Sequence, residues 1–328
     1  MNSFTQSIEK WQSELKKFII NNIVDSKFTK LVISENKDFQ INYVLGAYKR
    51  HKDLENYLLH LDKQSNKKLS KAEFDELSKL YKDLESYHLR NISEIVHTNF
   101  DFILKYFGKR SRKYKPRTSI KIINDKKVST IFRNYSIGIY QEIPEDIDDN
   151  FEFIHCRQRR TILFSDIPLA ISTNKYENPR INKPAAIEYY NDLRSFPGKK
   201  ILKKLISPTP DYAWRDCWLP YGTGELSQMN SCYKSTLVTS IVLFENNLEI
   251  EALKFLKNSR NNSWSKGILF GFLCFDHPEV NYFKRIKDEN MAIFFADILC
   301  PFFVYFDLYG TISPVAINAQ KLINSMNN

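Results

Sequence analysis

The residues best suited to binding chemistry lie in one irregular segment, residues 211–233. This segment holds two of the four tryptophans of the chain, together with the adjacent pair Arg215 and Asp216. A pocket for a planar ligand needs aromatic faces and a few placed polar groups. We therefore predict that Trp214 or Trp218 stacks on a small ligand, that Arg215 meets an anionic group, and that Asp216 accepts hydrogen bonds.

Two interpretations of this segment stay open. An irregular lid, packed on the core with its tryptophans as plugs, would have the same composition. Asp166 has two interpretations as well, because a ligand acceptor and a helix cap that follows a strand both suit it. The complete set of candidate ligand-binding residues is Asp166, Trp214, Arg215, Asp216, Trp218 and Cys232.

Catalytic and metal-binding patterns are missing from the sequence. The six histidines have no ligand spacing, and no nucleophile elbow or Walker pattern appears. The sequence Gly222-Thr-Gly224 is too short for a phosphate loop. The five cysteines include no Cys-x-x-Cys pair, so neither zinc nor a disulfide framework is indicated. We expect a non-enzymatic cytoplasmic protein without a metal site, and its cofactor, if any, is unknown from sequence.

A basic run offers a different function. Seven of the thirteen residues 105–117 are positive, and aromatic residues lie between them. Such a run suits nucleic-acid phosphates, although a solvated helix end has the same composition. We expect any nucleic-acid binding to be weak, independent of sequence and sensitive to salt. The candidate contacts are Lys109, Arg110, Arg112, Lys113 and Arg117.

The elements that must position these residues begin with a helical region, residues 1–107. Ser70 and Glu73 have capping-box spacing at the start of an apolar helical pattern. The pattern continues to Phe107, and Gly108 is a suitable stop. The predicted helix has about 38 residues and is roughly 57 Å long.

A helix of this length carries too much apolar surface for one small domain to cover. We therefore expect a homodimer in which the helix takes part, with Leu77 and Leu84 in the contact. Replacing them by lysine should weaken the dimer because buried ammonium groups lose their hydration.

The pattern of residues 108–328 predicts an α+β fold. Thr118–Ile123 and Val128–Arg133 form a predicted hairpin. Asp297 and Asp307 interrupt the last apolar run, so we predict a buried helix there rather than a membrane span. The other predicted strands are Thr161–Phe164, Leu237–Phe244 and Ile268–Phe275, and the predicted helices are Pro184–Ser195 and Met291–Leu308.

The strand at Ile268–Phe275 carries a family resemblance. The sequence Gly267-Ile-Leu-Phe-Gly-Phe-Leu-Cys-Phe-Asp-His-Pro-Glu279 resembles the penultimate-strand signature of GAF domains, in which His277 would be a turn residue. The similarity extends to Phe283, Asp288, Glu289, Met291–Leu299 and Thr161–Ile167. It implies an antiparallel sheet flanked by helices, ligand sensing, and pairing through flanking helices. The bilin-binding and sulfoxide-reducing branches of the family are not matched.

The predicted organisation has two regions. Residues 1–107 are helical and include a long signalling or dimerisation helix. Residues 108–328 are a GAF-like α+β domain with an irregular insert at about 166–233. The function implied is a sensor that binds a small ligand and signals through a partner chain. The alternatives are a protein-interaction scaffold with a filled pocket and a nucleic-acid-binding regulator.

Overall fold

The chain divides into two compact units. Unit 1 comprises residues 1–102, 242–268 and 297–328, and unit 2 comprises residues 103–241 and 269–296. The computed structural model describes residues 31–32, 44–62, 70–110, 115–124, 126–134, 144–195, 212–218, 232–244, 263–264 and 267–327.

The described elements are of mixed α+β type. The helices are α1 Val44–Asp62, α2 Lys71–Phe107, α3 Phe151–Arg159, α4 Ile167–Ser172, α5 Lys183–Ser195, α6 Tyr212–Arg215 and α7 Lys287–Asn327. The strands are β1 Arg117–Asn124, β2 Lys127–Arg133, β3 Glu145–Asp146, β4 Thr161–Phe164, β5 Ser235–Phe244, β6 Ser263–Trp264 and β7 Gly267–His277.

The strands form one antiparallel sheet in the order β3-β2-β1-β7-β5-β4, and β6 also pairs with β7. The predicted β1–β2 hairpin is confirmed, with a register shift between Ile120 and Lys121. At the centre, β1 pairs with β7 so that Arg117 lies opposite Asp276 and Lys121 lies opposite Phe272. The predicted strands at β4, β5 and β7 and the predicted helix at α5 are also confirmed.

The long helix α2 begins where the sequence predicts. The Ser70 backbone N–H donates to Glu73 Oε2 at 2.7 Å, and the Glu73 N–H donates to Ser70 Oγ at 3.4 Å, which completes the capping box. Leu77 and Leu84 are 0% and 1% exposed in the single chain. Lysine at these two positions would therefore disrupt the fold itself, so these substitutions cannot isolate dimerisation.

The last helix is longer than its apolar run indicates. It begins at Lys287 and has 41 residues. Its start is fixed by carboxylates, since Asp288 Oδ2 accepts from the Lys284 N–H at 2.6 Å and Glu289 Oε2 accepts from the Ile286 N–H at 2.7 Å. Throughout the described ranges, no helix combines the length and the apolar character that crossing a bilayer requires.

Aromatic side chains cover one face of the sheet in unit 2. Phe107, at the end of α2, lies 4.5 Å from the ring of Phe275 on β7 and 6.4 Å from the ring of Phe295 on α7. The Tyr282 hydroxyl donates to the Phe107 carbonyl at the same place. The end of α2 and the residue Phe295 of α7 thus pack on this face of the sheet. Side chains alternate along a strand, so Arg117 and Lys121 lie on the opposite face.

We predict that Gly271→Ala destabilises the sheet severely. A Cβ at Gly271 would lie 2.0 Å from the Lys121 carbonyl oxygen, which belongs to the neighbouring strand and cannot rotate away. Gly108 is the matched control because no atom lies within 4 Å of its Cβ position. Urea unfolding should show a loss of about 3 kcal/mol or more for Gly271→Ala, against at most a few tenths for Gly108→Ala. Equal losses would contradict the close approach of β1 and β7.

Candidate functional site

A group of charged and hydroxyl side chains lies on the sheet face opposite Phe107. The central strand β1 contributes Arg117 and Lys121, and its partner β7 contributes Cys274 and Asp276. Strand β2 contributes Arg133, and helix α3 and the segments 176–180 and 232–234 supply the rest. We call this group the polar cluster. Its members are Arg117, Lys121, Arg133, Glu152, Tyr176, Asn178, Arg180, Tyr233, Cys274 and Asp276.

The polar cluster is anchored by an ion pair between neighbouring strands. Arg117 donates to Asp276 Oδ2 from Nε at 3.0 Å and from a terminal nitrogen at 2.5 Å. The other oxygen of Asp276 accepts from Thr236 Oγ1 at 2.8 Å, so both oxygens of this carboxylate are used. Burial opposes the charge on Arg117, but Asp276, Tyr233 and Cys274 together outweigh it, so the pKa of the guanidinium is raised.

A buried carboxylate accepts from the tyrosines of the polar cluster. Glu152 is only 4% exposed, and its Oε1 accepts from the Tyr176 hydroxyl at 2.5 Å and from the Tyr233 hydroxyl at 3.5 Å. Asn178 donates to the same two hydroxyls at 3.2 and 3.4 Å. Burial raises the pKa of Glu152 to about 6, and the Tyr176 hydrogen bond opposes that rise.

Lys121 differs from its neighbours because no described residue bonds to its ammonium. Its ammonium lies 5.7 Å from the ring centroid of Phe153, which stacks on Phe272 at 4.3 Å. Within the described ranges, no hydrogen bond or ion pair reaches this ammonium. Burial, helped by the cations Arg133, Arg180 and Arg117, lowers the pKa of Lys121 to about 8. Lys121 is therefore charged at neutral pH, while part of its side chain stays exposed.

The charges of the polar cluster do not balance. Arg180 pairs with Glu145, and the pKa of Arg133 is lowered by burial and by Arg117. Among the described residues, and counting Glu145, four cations face three carboxylates. The surplus charge of this group is positive.

The thiol of the polar cluster is held in its neutral form. Burial raises the pKa of Cys274 to about 12, and it also raises the pKa of Cys156 on α3. A thiolate is the reactive form of cysteine, so neither residue is poised as a nucleophile. The five cysteines all lie in the described ranges, and none forms a disulfide.

Trp214 belongs to the core. It is 1% exposed, its ring lies 5.2 Å from that of Tyr189, and its Nε1 donates to the Tyr233 carbonyl at 3.2 Å. Trp218 is partly exposed and lies 4.8 Å from the ring of Tyr233. Trp214 is thus buried in the core, as expected if the segment is a lid that packs on the core. Trp218 instead contacts a member of the polar cluster.

The other predicted ligand-binding residues have local partners. Asp166 caps α4, since its Oδ1 accepts from the Leu169 N–H at 3.0 Å. Arg215 and Asp216 form a surface ion pair with each other at 3.0 Å. Cys232 is half-buried and packs against the apolar cluster around Trp214. Their contacts with a ligand stay predictions.

His277 was expected in a turn, and this is wrong. It is the last residue of β7 and is fully buried. Its ring stacks on Tyr282 at 3.5 Å, and its Nδ1 accepts from the Glu279 N–H at 3.1 Å. The turn therefore begins one residue later, at Pro278.

The residues of the basic run have separate positions. Lys109 is exposed, whereas Arg117 is held in the ion pair with Asp276. Arg112, Lys113 and the side chain of Arg110 lie outside the described residues. Arg117 is thus engaged inside unit 2 and is not placed for a surface phosphate.

Sequence reasoning missed most of the polar cluster, although one signal was present. Lys121 is a single charge within an isoleucine-rich predicted strand, four residues after Arg117, and this spacing places both on one face. Glu152 and Tyr176 gave no such signal because they come from separate elements and meet only through packing. Comparison with protein-family models, curated proteins and solved structures finds no match to this chain.

We predict that Glu152→Gln alters the pH dependence of stability. A carboxyl whose pKa is raised from 4.5 to about 6 in the folded state contributes stability below pH 4.5 and loses that contribution as pH rises through about 6. Glutamine stays neutral and can still accept from Tyr176. Thermal melts should show Glu152→Gln more stable than the parent at pH 7.5 and equal to it near pH 4.5. Glu188→Gln on α5 controls for loss of one charge, and a difference that does not vary with pH would contradict the assignment.

We predict that breaking two different ion pairs lowers the free energy of unfolding by unequal amounts. Asp276→Ala leaves Arg117 buried without its counter-ion, which should reduce the free energy of unfolding by about 3 kcal/mol. Asp216→Ala breaks the exposed pair with Arg215 and should reduce it by less than about 1 kcal/mol. Urea unfolding measures both variants. Similar losses would show that the Arg117–Asp276 pair is not an anchor of the fold.

Proposed function

We propose that the protein is a non-enzymatic sensor or regulator that binds a small ligand at the polar cluster of unit 2. The observation that carries this proposal is the ammonium of Lys121. It lies among side chains that are bonded to one another, yet it has no polar partner in the described part of the chain.

The energetics of Lys121 support a binding role. A charged group in a densely packed site destabilises the folded chain unless a partner compensates it. The lowered pKa of Lys121 shows that its charged form is disfavoured there. Groups that reduce stability in this way are common at functional sites. Because Lys121 keeps some exposed surface, a ligand can reach it.

The protonation state of the cysteines favours a binding function over a catalytic one. Burial raises the pKa of both Cys156 and Cys274, which keeps these thiols protonated at neutral pH. One oxygen of the Glu152 carboxylate, Oε1, accepts from the tyrosine hydroxyls. We therefore infer that the two thiols and the Glu152 carboxylate shape the site and take no part in catalysis.

The rest of the proposal concerns signalling. We propose a GAF-like sensory domain in unit 2, on the strength of the sequence resemblance and the antiparallel sheet. A homodimer through the long helix α2 and a partner chain that receives the signal complete this function.

A protein-interaction scaffold is the second candidate. The observation that favours it is Trp214, which is buried in an apolar cluster where a ligand-stacking residue was expected. In this alternative the segment 211–233 fills the pocket with its own side chains.

Native mass spectrometry of the full chain tests the proposed function. We expect a dimer that carries a small molecule, which is lost when the chain is denatured. A library of small metabolites, scored by thermal shift, covers the case in which the ligand is lost during purification. A monomer would overturn the dimer, and the scaffold would be favoured if no compound of any charge bound.

A further inference from the structure

We propose that the polar cluster is an anion-binding site, in which the Lys121 ammonium is the counter-ion for a carboxylate or phosphate group of the ligand. This inference rests on the proposed function, because it names the chemical class of the ligand that the polar cluster takes.

The geometry of the sheet concentrates positive charge at Lys121. Arg117 and Lys121 lie four residues apart on β1 and therefore project from the same face. Arg133 lies opposite Ser119 on β2, which places it beside both of them. Arg180 joins them from the loop before α5, near enough to influence the pKa of Lys121.

The carboxylates nearby are engaged elsewhere. Asp276 holds Arg117 with one oxygen and Thr236 with the other. Glu145 pairs with Arg180. Glu152 Oε1 is occupied by Tyr176 and Tyr233. None of the three is bonded to Lys121, so an anionic ligand would supply the charge that the described residues do not.

The surroundings of Lys121 would strengthen such a contact. The stacked rings of Phe153 and Phe272 form an apolar wall beneath the ammonium, and an interaction between opposite charges is stronger where water is displaced. Hydrogen bonds between ionised groups are shorter and stronger than neutral ones. A small organic anion with an apolar portion fits both features.

The affinity of the site for anions should change with pH in one direction. The charged and titratable groups that face Lys121 are Arg117 on β1, Arg133 on β2, Cys274 on β7, Arg180 before α5 and Glu152 on α3. Because the pKa of Lys121 is about 8, the ammonium loses its proton as pH rises through that value. Anion affinity should therefore fall above pH 8, by up to about tenfold per pH unit.

Lysine labelling of the full-length wild-type chain tests the proposal without any substitution. Acetic anhydride reacts with the neutral amine, and mass spectrometry measures the rate at Lys121 at each pH. The probes are inorganic phosphate and succinate, with glucose as the uncharged control at constant ionic strength. At an anion concentration ten times its Kd, we expect labelling of Lys121 to slow about tenfold, with no effect of glucose. Equal rates with and without phosphate and succinate would overturn the anion site.

A matched pair of variants gives the second measurement. Calorimetric titration with the better of the two anions should show at least about tenfold weaker binding to Lys121→Met, which is the loss expected for one charged hydrogen bond. Lys127→Met, on the exposed surface of β2, should bind as the parent does. Lys121→Met should also melt at a higher temperature than the parent, since it removes a disfavoured charge, and this melt verifies that the variant is folded.

These outcomes separate the inference from the proposed function. If mass spectrometry or the metabolite screen finds a neutral ligand whose Kd is unchanged in Lys121→Met, the anion site is wrong and the sensor function stands. If no small molecule of any charge binds, both are wrong. An anion that binds both variants equally, and leaves the labelling of Lys121 unchanged, would also overturn the inference.

Discussion

The pairing of β1 with β7 is the constraint on which the rest of unit 2 depends. It brings the backbone so close at Gly271 that a single methyl group would meet the Lys121 carbonyl. It also fixes the register in which Arg117 meets Asp276. Because side chains alternate along both strands, this one pairing determines which residues enter the aromatic core and which enter the polar cluster.

The two faces of the sheet have different physical roles. On one face, Phe107, Phe275 and Phe295 bury aromatic surface and stabilise the fold. On the other, charges are brought into a packed environment, where each one is unfavourable unless it has a partner. Arg117 and Arg180 are compensated by ion pairs, whereas no described residue bonds to the Lys121 ammonium. A site that tolerates one uncompensated charge gives up stability for the capacity to bind.

The proposed sensor function follows from this imbalance more than from the family resemblance. The aromatic segment 211–233 drew attention in the sequence, but Trp214 lies in the core and the Arg215–Asp216 pair lies at the surface. Tyr233, the last residue of that segment, is itself a member of the polar cluster, and its ring contacts Trp218. The ligand proposal therefore moves from the tryptophans to the central strands.

The sequence by itself determined several of the elements, because their signals are local. Capping chemistry at Ser70 and Glu73 gave the start of α2, and apolar runs gave the central strands. Sequence did not determine the length of α7 or the end of β7 at His277, because carboxylate caps and burial set these boundaries. Only the tertiary structure decided the polar cluster. Glu152, Tyr176 and Tyr233 are far apart in the chain, and burial in the packed structure is the largest cause of the raised pKa of each. Such a property belongs to the packed arrangement and is carried by no single stretch of residues.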